Sequence, residues 1–168
     1  MQVYIPATLA MLRQLVADGS LSPVNGTAFA VTPTLRESYA EGDDDELAEV
    51  ALSEAALASL RLLAAEIDTA SDPLPPRRAV LAAEVEDYKC RPDLDDAVVR
   101  LAGPVAIDRV VAAYVDNAGA EQAVTAAIAV IDAADLGDED ADLIVGDAQD
   151  HDLAWYATQE LPFLLDLL

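Results

Sequence analysis

The sequence predicts an α+β domain, a two-layer sandwich with a ferredoxin-like βαββαβ core and extra helices inserted in its first half. Short runs typical of strands alternate with segments of helical periodicity, and this order is weakly repeated in the two halves. The length of 168 residues suits a single domain that spans residues 1–168. A three-layer α/β fold with a parallel sheet is the alternative.

Six strands are predicted where short runs alternate in polarity or are rich in β-branched side chains. They are residues 2–5, 27–31, 78–85, 98–101, 109–115 and 152–157. Pro6 ends the first strand, since proline cannot donate to a sheet ladder. Residues 22–26 form a turn before the second strand, and residues 116–117 form a turn after the fifth.

Five helices are predicted where apolar side chains recur at three- and four-residue spacing. They are residues 9–18, 33–39, 45–68, 120–133 and 159–165. Thr8 and Thr32 stand at the N-cap positions of the first two helices, and Gly19 ends the first. The third helix has the clearest pattern, because only Glu54 interrupts its apolar stripe.

Three segments are predicted to connect these elements without regular structure of their own. Residues 71–76 are a proline-rich break that is too short to separate two independent domains. Residues 87–96 are a charged loop, and residues 135–150 are an acidic loop with an apolar centre at residues 143–145.

The composition excludes several classes of protein. The formal net charge is -23, from 32 acidic and 9 basic side chains. Since phosphate binding needs Lys and Arg, we expect no nucleic-acid partner and no binding to an anionic membrane. The hydrophobic content of 54% is too high for a disordered acidic chain. A single cysteine excludes a disulfide scaffold, and the N-terminus lacks a signal-peptide pattern, so we expect a cytoplasmic location.

The acidic side chains are unevenly distributed. All nine basic residues lie between Arg13 and Arg109, and from residue 110 onward there are 13 acids and no base. The densest stretch, residues 132–152, holds nine acids in 21 residues. Such runs usually form a solvated surface, but they also attract basic partners.

One candidate site is a group of four clustered acids within that stretch. The group consists of Asp138, Glu139, Asp140 and Asp142. An EF-hand loop that began at Asp138 would need glycine at its sixth position and glutamate at its twelfth, and these positions hold Leu143 and Gln149. We therefore expect the group to meet a basic partner and not to bind calcium specifically.

The only histidine, His151, lies among carboxylates and is a second candidate. With Asp147, Asp150 or Asp152 it could form a divalent-metal patch or a His–Asp acid–base pair. Zinc sites usually take three or four protein ligands with His or Cys prominent, so a polar turn is the preferred interpretation. No glycine-rich phosphate loop is present, and we expect no cofactor.

The aromatic segment at residues 151–160 is the third candidate. We expect Trp155, the only tryptophan, to anchor the core, and the opposite strand face to form a recognition surface. That surface would combine Tyr156, Gln159 and Glu160 with Tyr4 or Tyr114 from neighbouring strands. Aromatic patches with polar rims are typical of protein interfaces.

Three segments carry a resemblance to a known family. Residues 3–8, 27–32 and 151–161 resemble a family of uncharacterised proteins from high-GC actinobacteria that is labelled as a domain of unknown function. The resemblance covers most of the chain. It implies no activity, cofactor or catalytic residue.

These observations predict a non-enzymatic regulatory or adaptor protein that binds a basic protein surface. Residues 132–152 or the acidic cluster at residues 43–49 would meet that surface. A small metal-dependent hydrolase centred on His151 and neighbouring aspartates is the alternative. A homodimer formed through a sheet edge or face is a third hypothesis.

Overall fold

A computed structural model describes residues 1–39, 41–66 and 74–168 of the chain. The described strands are β1 Gln2–Ala7, β2 Ser20–Leu21, β3 Thr27–Phe29, β4 Ala79–Glu84, β5 Tyr88–Cys90, β6 Val98–Leu101, β7 Val105–Ala106, β8 Val110–Val115 and β9 Ala154–Ala157. The described helices are α1 Leu9–Asp18, α2 Pro33–Ser38, α3 Asp44–Glu66, α4 Glu121–Asp135, α5 Glu139–Gln149 and α6 Leu161–Asp166.

Seven strands form the main sheet in the order β5-β6-β3-β1-β4-β8-β9, and β2 and β7 form a separate pair. Every pairing in the described part of the chain is antiparallel. β1 lies at the centre, with Ile5 opposite Leu81 of β4 and Tyr4 opposite Phe29 of β3. β8 and then β9 extend the sheet beyond β4, so β9 is an edge strand.

Helices pack on both faces of this sheet. On one face, Ile5 and Leu81 share a buried cluster with side chains of α1 and α6, among them Leu12 and Leu161. On the other face, Tyr4, Phe29 and Val80 share a cluster with side chains of α2 and α3. A third cluster joins α3 to α4 and α5. The sheet is therefore a middle layer.

The α+β class is confirmed, but the ferredoxin-like layout is not. A ferredoxin-like two-layer sandwich packs its helices on one face of an antiparallel sheet. Here helices cover both faces of the sheet, so there is a third layer and the two-layer ferredoxin-like layout is not confirmed. The alternative had three layers with a parallel sheet, and the antiparallel pairings contradict that parallel sheet.

Local signals for the first two helices were correct, but Pro6 does not end β1, which continues to Ala7 with Pro6 opposite Val80. The Thr8 hydroxyl accepts a hydrogen bond from the Met11 backbone N–H at 3.3 Å, and Thr32 accepts one from Leu35 at 3.1 Å. Gly19 ends α1 with a φ of 77°, a left-handed conformation that favours glycine. The predicted helix 45–68 is described from Asp44 to Glu66, and its last two residues lie outside the described part.

Two predicted loops contain regular structure. Residues 87–96 include the edge strand β5, which pairs with β6 and carries the lone Cys90. Most of the predicted acidic loop at residues 135–150 is the helix α5. Of the predicted break at residues 71–76, residues 71–73 lie outside the described part. None of the described helices is long and apolar enough to cross a membrane.

Candidate functional site

The helix α5 forms where the sequence predicted a loop. Asp138 is its N-cap, and the Asp138 side chain accepts a hydrogen bond from the Ala141 backbone N–H at 2.9 Å. Ala141, Val145 and Ala148 recur at four- and three-residue spacing and are buried. Val145 and Ala148 belong to the cluster that joins α5 to α3 and α4. Acids in the first turn, such as Glu139, also suit the positive end of the helix dipole.

The cap gives a testable expectation. Asp138→Ala should lower the free energy of unfolding by about 0.5 to 2 kcal/mol, because the Ala141 N–H loses its partner. Asp138→Asn should be nearly neutral, since asparagine caps a helix about as well. Urea unfolding followed by circular dichroism would measure both variants. Equal destabilisation by alanine and asparagine would show that the charge, and not the cap, matters.

The outward side of α5 carries a dense set of acids around one leucine. We call this surface the acidic face of α5, and all of its residues are exposed. It consists of Glu139, Asp140, Asp142, Leu143, Asp147 and Asp150. Glu139, Leu143, Asp147 and Asp150 follow one another at four-, four- and three-residue spacing, so they share one side of the helix. Leu143 is 70% exposed.

These acids are not neutralised by bases of the same chain. Among the described residues, none of the acids in the acidic face of α5 forms a salt bridge. Within the described residues, five arginines pair with acids elsewhere. Arg61, for example, binds Asp135 at the end of α4 at 2.9 Å, and its hydrogen bond lowers the pKa of that carboxyl. Within the described part of the chain, the charge of the acidic face of α5 is therefore not neutralised by a base.

The acidic cluster that precedes and begins α3 is less available. Asp43 accepts a hydrogen bond from the Glu46 backbone N–H at 2.9 Å, and Asp44 forms a salt bridge with Arg36. That hydrogen bond from Arg36 lowers the pKa of Asp44. Part of this cluster therefore caps a helix or pairs with a base. Of the two acidic regions predicted from the sequence, the acidic face of α5 therefore forms fewer side-chain contacts with other described residues.

The turn from α5 to β9 is held from beneath by a buried arginine. Arg78 donates to the His151 carbonyl at 2.7 Å and to the Gln149 side chain at 2.9 Å. It also forms a salt bridge with Asp116, and the two side chains are 2% and 0% exposed. The position of His151 is thus fixed through its backbone, while its side chain is exposed. Sequence reasoning missed Arg78 because nothing in the sequence distinguishes it from Arg77.

The His151 side chain lines a shallow groove of about 310 Å³ between α4 and α5. Asp147 and Ile144 of α5 line the same groove, and Ala123 and Ala126 of α4 face them. Within the described part of the chain, no group of three His, Cys, Asp or Glu side chains is placed to hold a metal ion. The metal-dependent alternative therefore has no ligand set in this region.

The predicted place of Trp155 was wrong. Trp155 is 58% exposed, and it lies on edge strand β9 opposite Tyr114 of β8. Tyr156 lies opposite Ala113 and packs against the cluster that contains α1 and α6. Alternation along the strand was predicted correctly, but it cannot say which face a neighbouring helix covers. Here Trp155 is on the less covered face.

The predicted recognition surface is not assembled as a unit. Tyr4 is 7% exposed, and its ring meets the Tyr114 ring edge-on at 6.4 Å on the face opposite to Tyr156. Burial, with a smaller contribution from Tyr114, raises the pKa of the Tyr4 phenol. Gln159 and Glu160 are exposed in a 3-10 turn after β9. Trp155 with the turn around Glu160 is the part that remains accessible.

Comparison with known proteins identifies a family for the chain but no activity. A family model described as a family of unknown function, DUF6912, matches residues 1–165. Comparison with curated proteins finds no match, and neither does comparison with solved structures. The match confirms the resemblance to a family of unknown function, and it supplies no ligand or site residue.

Proposed function

The chain belongs to the DUF6912 family, a family of unknown function, and we propose that it is a non-enzymatic docking protein that binds a basic surface of a partner protein. The acidic face of α5 is the binding surface. The observation that carries this function is that its five acids are exposed and form no salt bridge with a described residue.

The central leucine specifies the partner further. Leu143 is exposed among the carboxylates of the acidic face of α5. An acidic surface that is only solvated by water does not need an apolar side chain at its centre. Interfaces commonly place apolar contacts at the centre and polar contacts at the rim. The partner surface should therefore hold Lys and Arg around a small apolar pocket that accepts Leu143. Because the free Cys90 suits a reducing compartment, we place this interaction in the cytoplasm.

A capture experiment with matched variants tests this function. The α5 variant carries Asp142→Asn, Asp147→Asn and Asp150→Asn, which leave the Asp138 cap intact. The control variant carries Asp45→Asn, Glu46→Gln and Glu49→Gln, which remove the same charge from exposed positions of α3. Capture from the native cytoplasm at low salt should yield a partner with wild type and control, and about tenfold less of it with the α5 variant.

Salt and Leu143 provide independent checks. Affinity for the captured partner should fall as salt rises from about 50 to 300 mM, since screening weakens exposed charge pairs. Leu143→Ser should weaken binding at every salt concentration, because it removes apolar contact and no charge. A partner that the α5 variant retains in full, or equal loss with both charge variants, would contradict docking through α5.

A further inference from the structure

The two edges of the main sheet differ in how they are protected. Edge strands are usually shielded from other strands by charged side chains, especially Lys, or by Pro. β5, at one edge, carries Lys89 between Tyr88 and Cys90. β9, at the other edge, has the sequence Ala-Trp-Tyr-Ala and contains no charged residue and no proline. β9 therefore lacks the charged and proline residues that usually shield an edge strand.

The backbone of β9 directs hydrogen-bonding groups toward this edge. The Ala157 N–H donates to the Glu160 carboxylate at 3.0 Å, although Ala157 lies opposite Ala112 of β8. In an antiparallel ladder, alternate residues direct their N–H and C=O groups to opposite sides. Trp155 is two residues before Ala157, so its N–H and C=O point away from β8. One residue at the centre of β9 thus offers the donor and acceptor pair that an added strand needs.

The charges around β9 define what such a strand would contain. Asp150 and Asp152 precede β9, Glu160 follows it, and no basic residue occurs after Arg109. A second copy of this chain would bring another formal charge of -23 and would be repelled. A segment with Lys and Arg would be attracted, and the exposed Trp155 ring offers a face on which a cation can stack.

We propose that β9 binds an extended basic segment of the partner protein as an added antiparallel strand, the pairing found between the described strands of the main sheet. The segment pairs with the backbone of Trp155, stacks a Lys or Arg side chain on the indole ring, and directs other bases to Asp152 and Glu160. Strand addition of this kind takes affinity from main-chain hydrogen bonds and specificity from side chains. This mode of binding rests on the function proposed above, since it assigns the partner a basic segment.

The sole tryptophan makes a direct titration possible. The probe is an acetylated and amidated peptide, Lys-Val-Arg-Val-Lys-Thr, added to the full chain at low salt. A second probe has the same side chains but is N-methylated at the alternate amides that would face β9, so it cannot donate hydrogen bonds to that strand. A third probe is N-methylated at the other amides, which would face away from β9. We expect saturable change in Trp155 emission with the first and third probes, and about tenfold weaker binding of the second.

Calorimetry with protein variants completes the test. Trp155→Ala should weaken the first probe about fivefold, because cation stacking is lost. A variant with only Asp142→Asn and Asp147→Asn should still distinguish the methylated probes, since β9 and the flanking Asp150 are unchanged in it. Equal affinity for all three probes, or no saturable binding, would overturn strand addition while leaving docking through α5 intact. Retention of the captured partner by the α5 variant would instead overturn the proposed function.

Light scattering addresses the homodimer. We expect the mass of a monomer with and without the peptide. A dimer that dissociates on Trp155→Lys would show that a second copy occupies β9, and it would overturn the proposal.

Discussion

Asp116→Ala should lower the free energy of unfolding by about 3 to 5 kcal/mol, because it leaves a buried guanidinium without its counterion. Asp116 is fully buried and accepts three hydrogen bonds from Arg78. These come from the backbone N–H at 2.8 Å, from Nε at 2.9 Å and from Nη2 at 2.8 Å. The Arg78 side chain is itself only 2% exposed, so water cannot replace the lost carboxylate. Urea unfolding followed by circular dichroism would measure the change.

The loss should extend to the candidate site. Arg78 also holds the Gln149 side chain and the His151 carbonyl, and Gln149 donates in turn to the Ser53 carbonyl of α3 at 3.0 Å. When Asp116 no longer orients the guanidinium, these contacts at the end of α5 weaken. Hydrogen exchange should therefore accelerate first at residues 149–153, before the central strands β1 and β4 are affected.

A second arginine–aspartate pair provides the control. Arg91 donates to both carboxylate oxygens of Asp93, at 2.9 and 2.8 Å, so its geometry resembles that of the Arg78–Asp116 pair. The Asp93 side chain, however, is 60% exposed. Asp93→Ala should leave the unfolding midpoint nearly unchanged, since exposed ion pairs contribute little. If Asp93→Ala and Asp116→Ala lowered the free energy of unfolding by similar amounts, burial would not determine how much an arginine–aspartate pair contributes to stability.

The sequence was sufficient for elements whose signals are local. Thr8 and Thr32 have the side-chain chemistry of an N-cap, Gly19 tolerates a left-handed φ, and each marks a helix boundary that the structure confirms. Runs rich in β-branched residues likewise predicted β6 at residues 98–101 and all of β8. These signals act within four residues of one another, so no knowledge of the rest of the fold is needed.

The helix α5 was missed because its buried face is weakly apolar. Ala141 and Ala148 contribute two of its three buried positions, and Gly146 lies within the helix. The acids between them raised the polarity of the whole segment to that of a loop. Asp138 followed by acids at residues 139, 140 and 142 is the signal that could have identified the N-cap, since acids are enriched in the first turn of a helix. Once the helix is recognised, Leu143 falls on the acidic side and becomes a candidate contact residue.

The sheet order and the exposed face of Trp155 depend on contacts between distant segments. β1 pairs with residues 79–84, and β8 pairs with residues 154–157, so loop closure and helix packing decide these neighbours. The alternation of side chains along β9 puts Trp155 and Tyr156 on opposite faces of the sheet, but it does not indicate which face is covered. Only the positions of α3 and α6 determine which face is covered, and no local pattern contains that information.

Leu60→Ala should lower the free energy of unfolding by about 2 to 5 kcal/mol, the usual cost of removing a fully buried leucine side chain. Leu60 of α3 is 0% exposed and belongs to the cluster with Val124 and Ile131 of α4 and Val145 of α5. The substitution leaves a cavity beneath the two helices that α3 supports. Because α4 and α5 pack on α3 and β1 lies at the centre of the sheet, amides of α5 should lose protection from hydrogen exchange before amides of β1.

Leu143→Ala gives the matched control, with the same atoms removed from an exposed position. Leu143 is 70% exposed and absent from the buried clusters, so the free energy of unfolding should change by less than about 0.5 kcal/mol. The two leucines should therefore separate stability from binding. Leu60→Ala should lower stability, and it should reduce partner capture only under conditions in which α5 is unfolded. Leu143→Ala should reduce partner capture although the protein is fully folded. Full capture by folded Leu143→Ala would show that this leucine lies outside the interface.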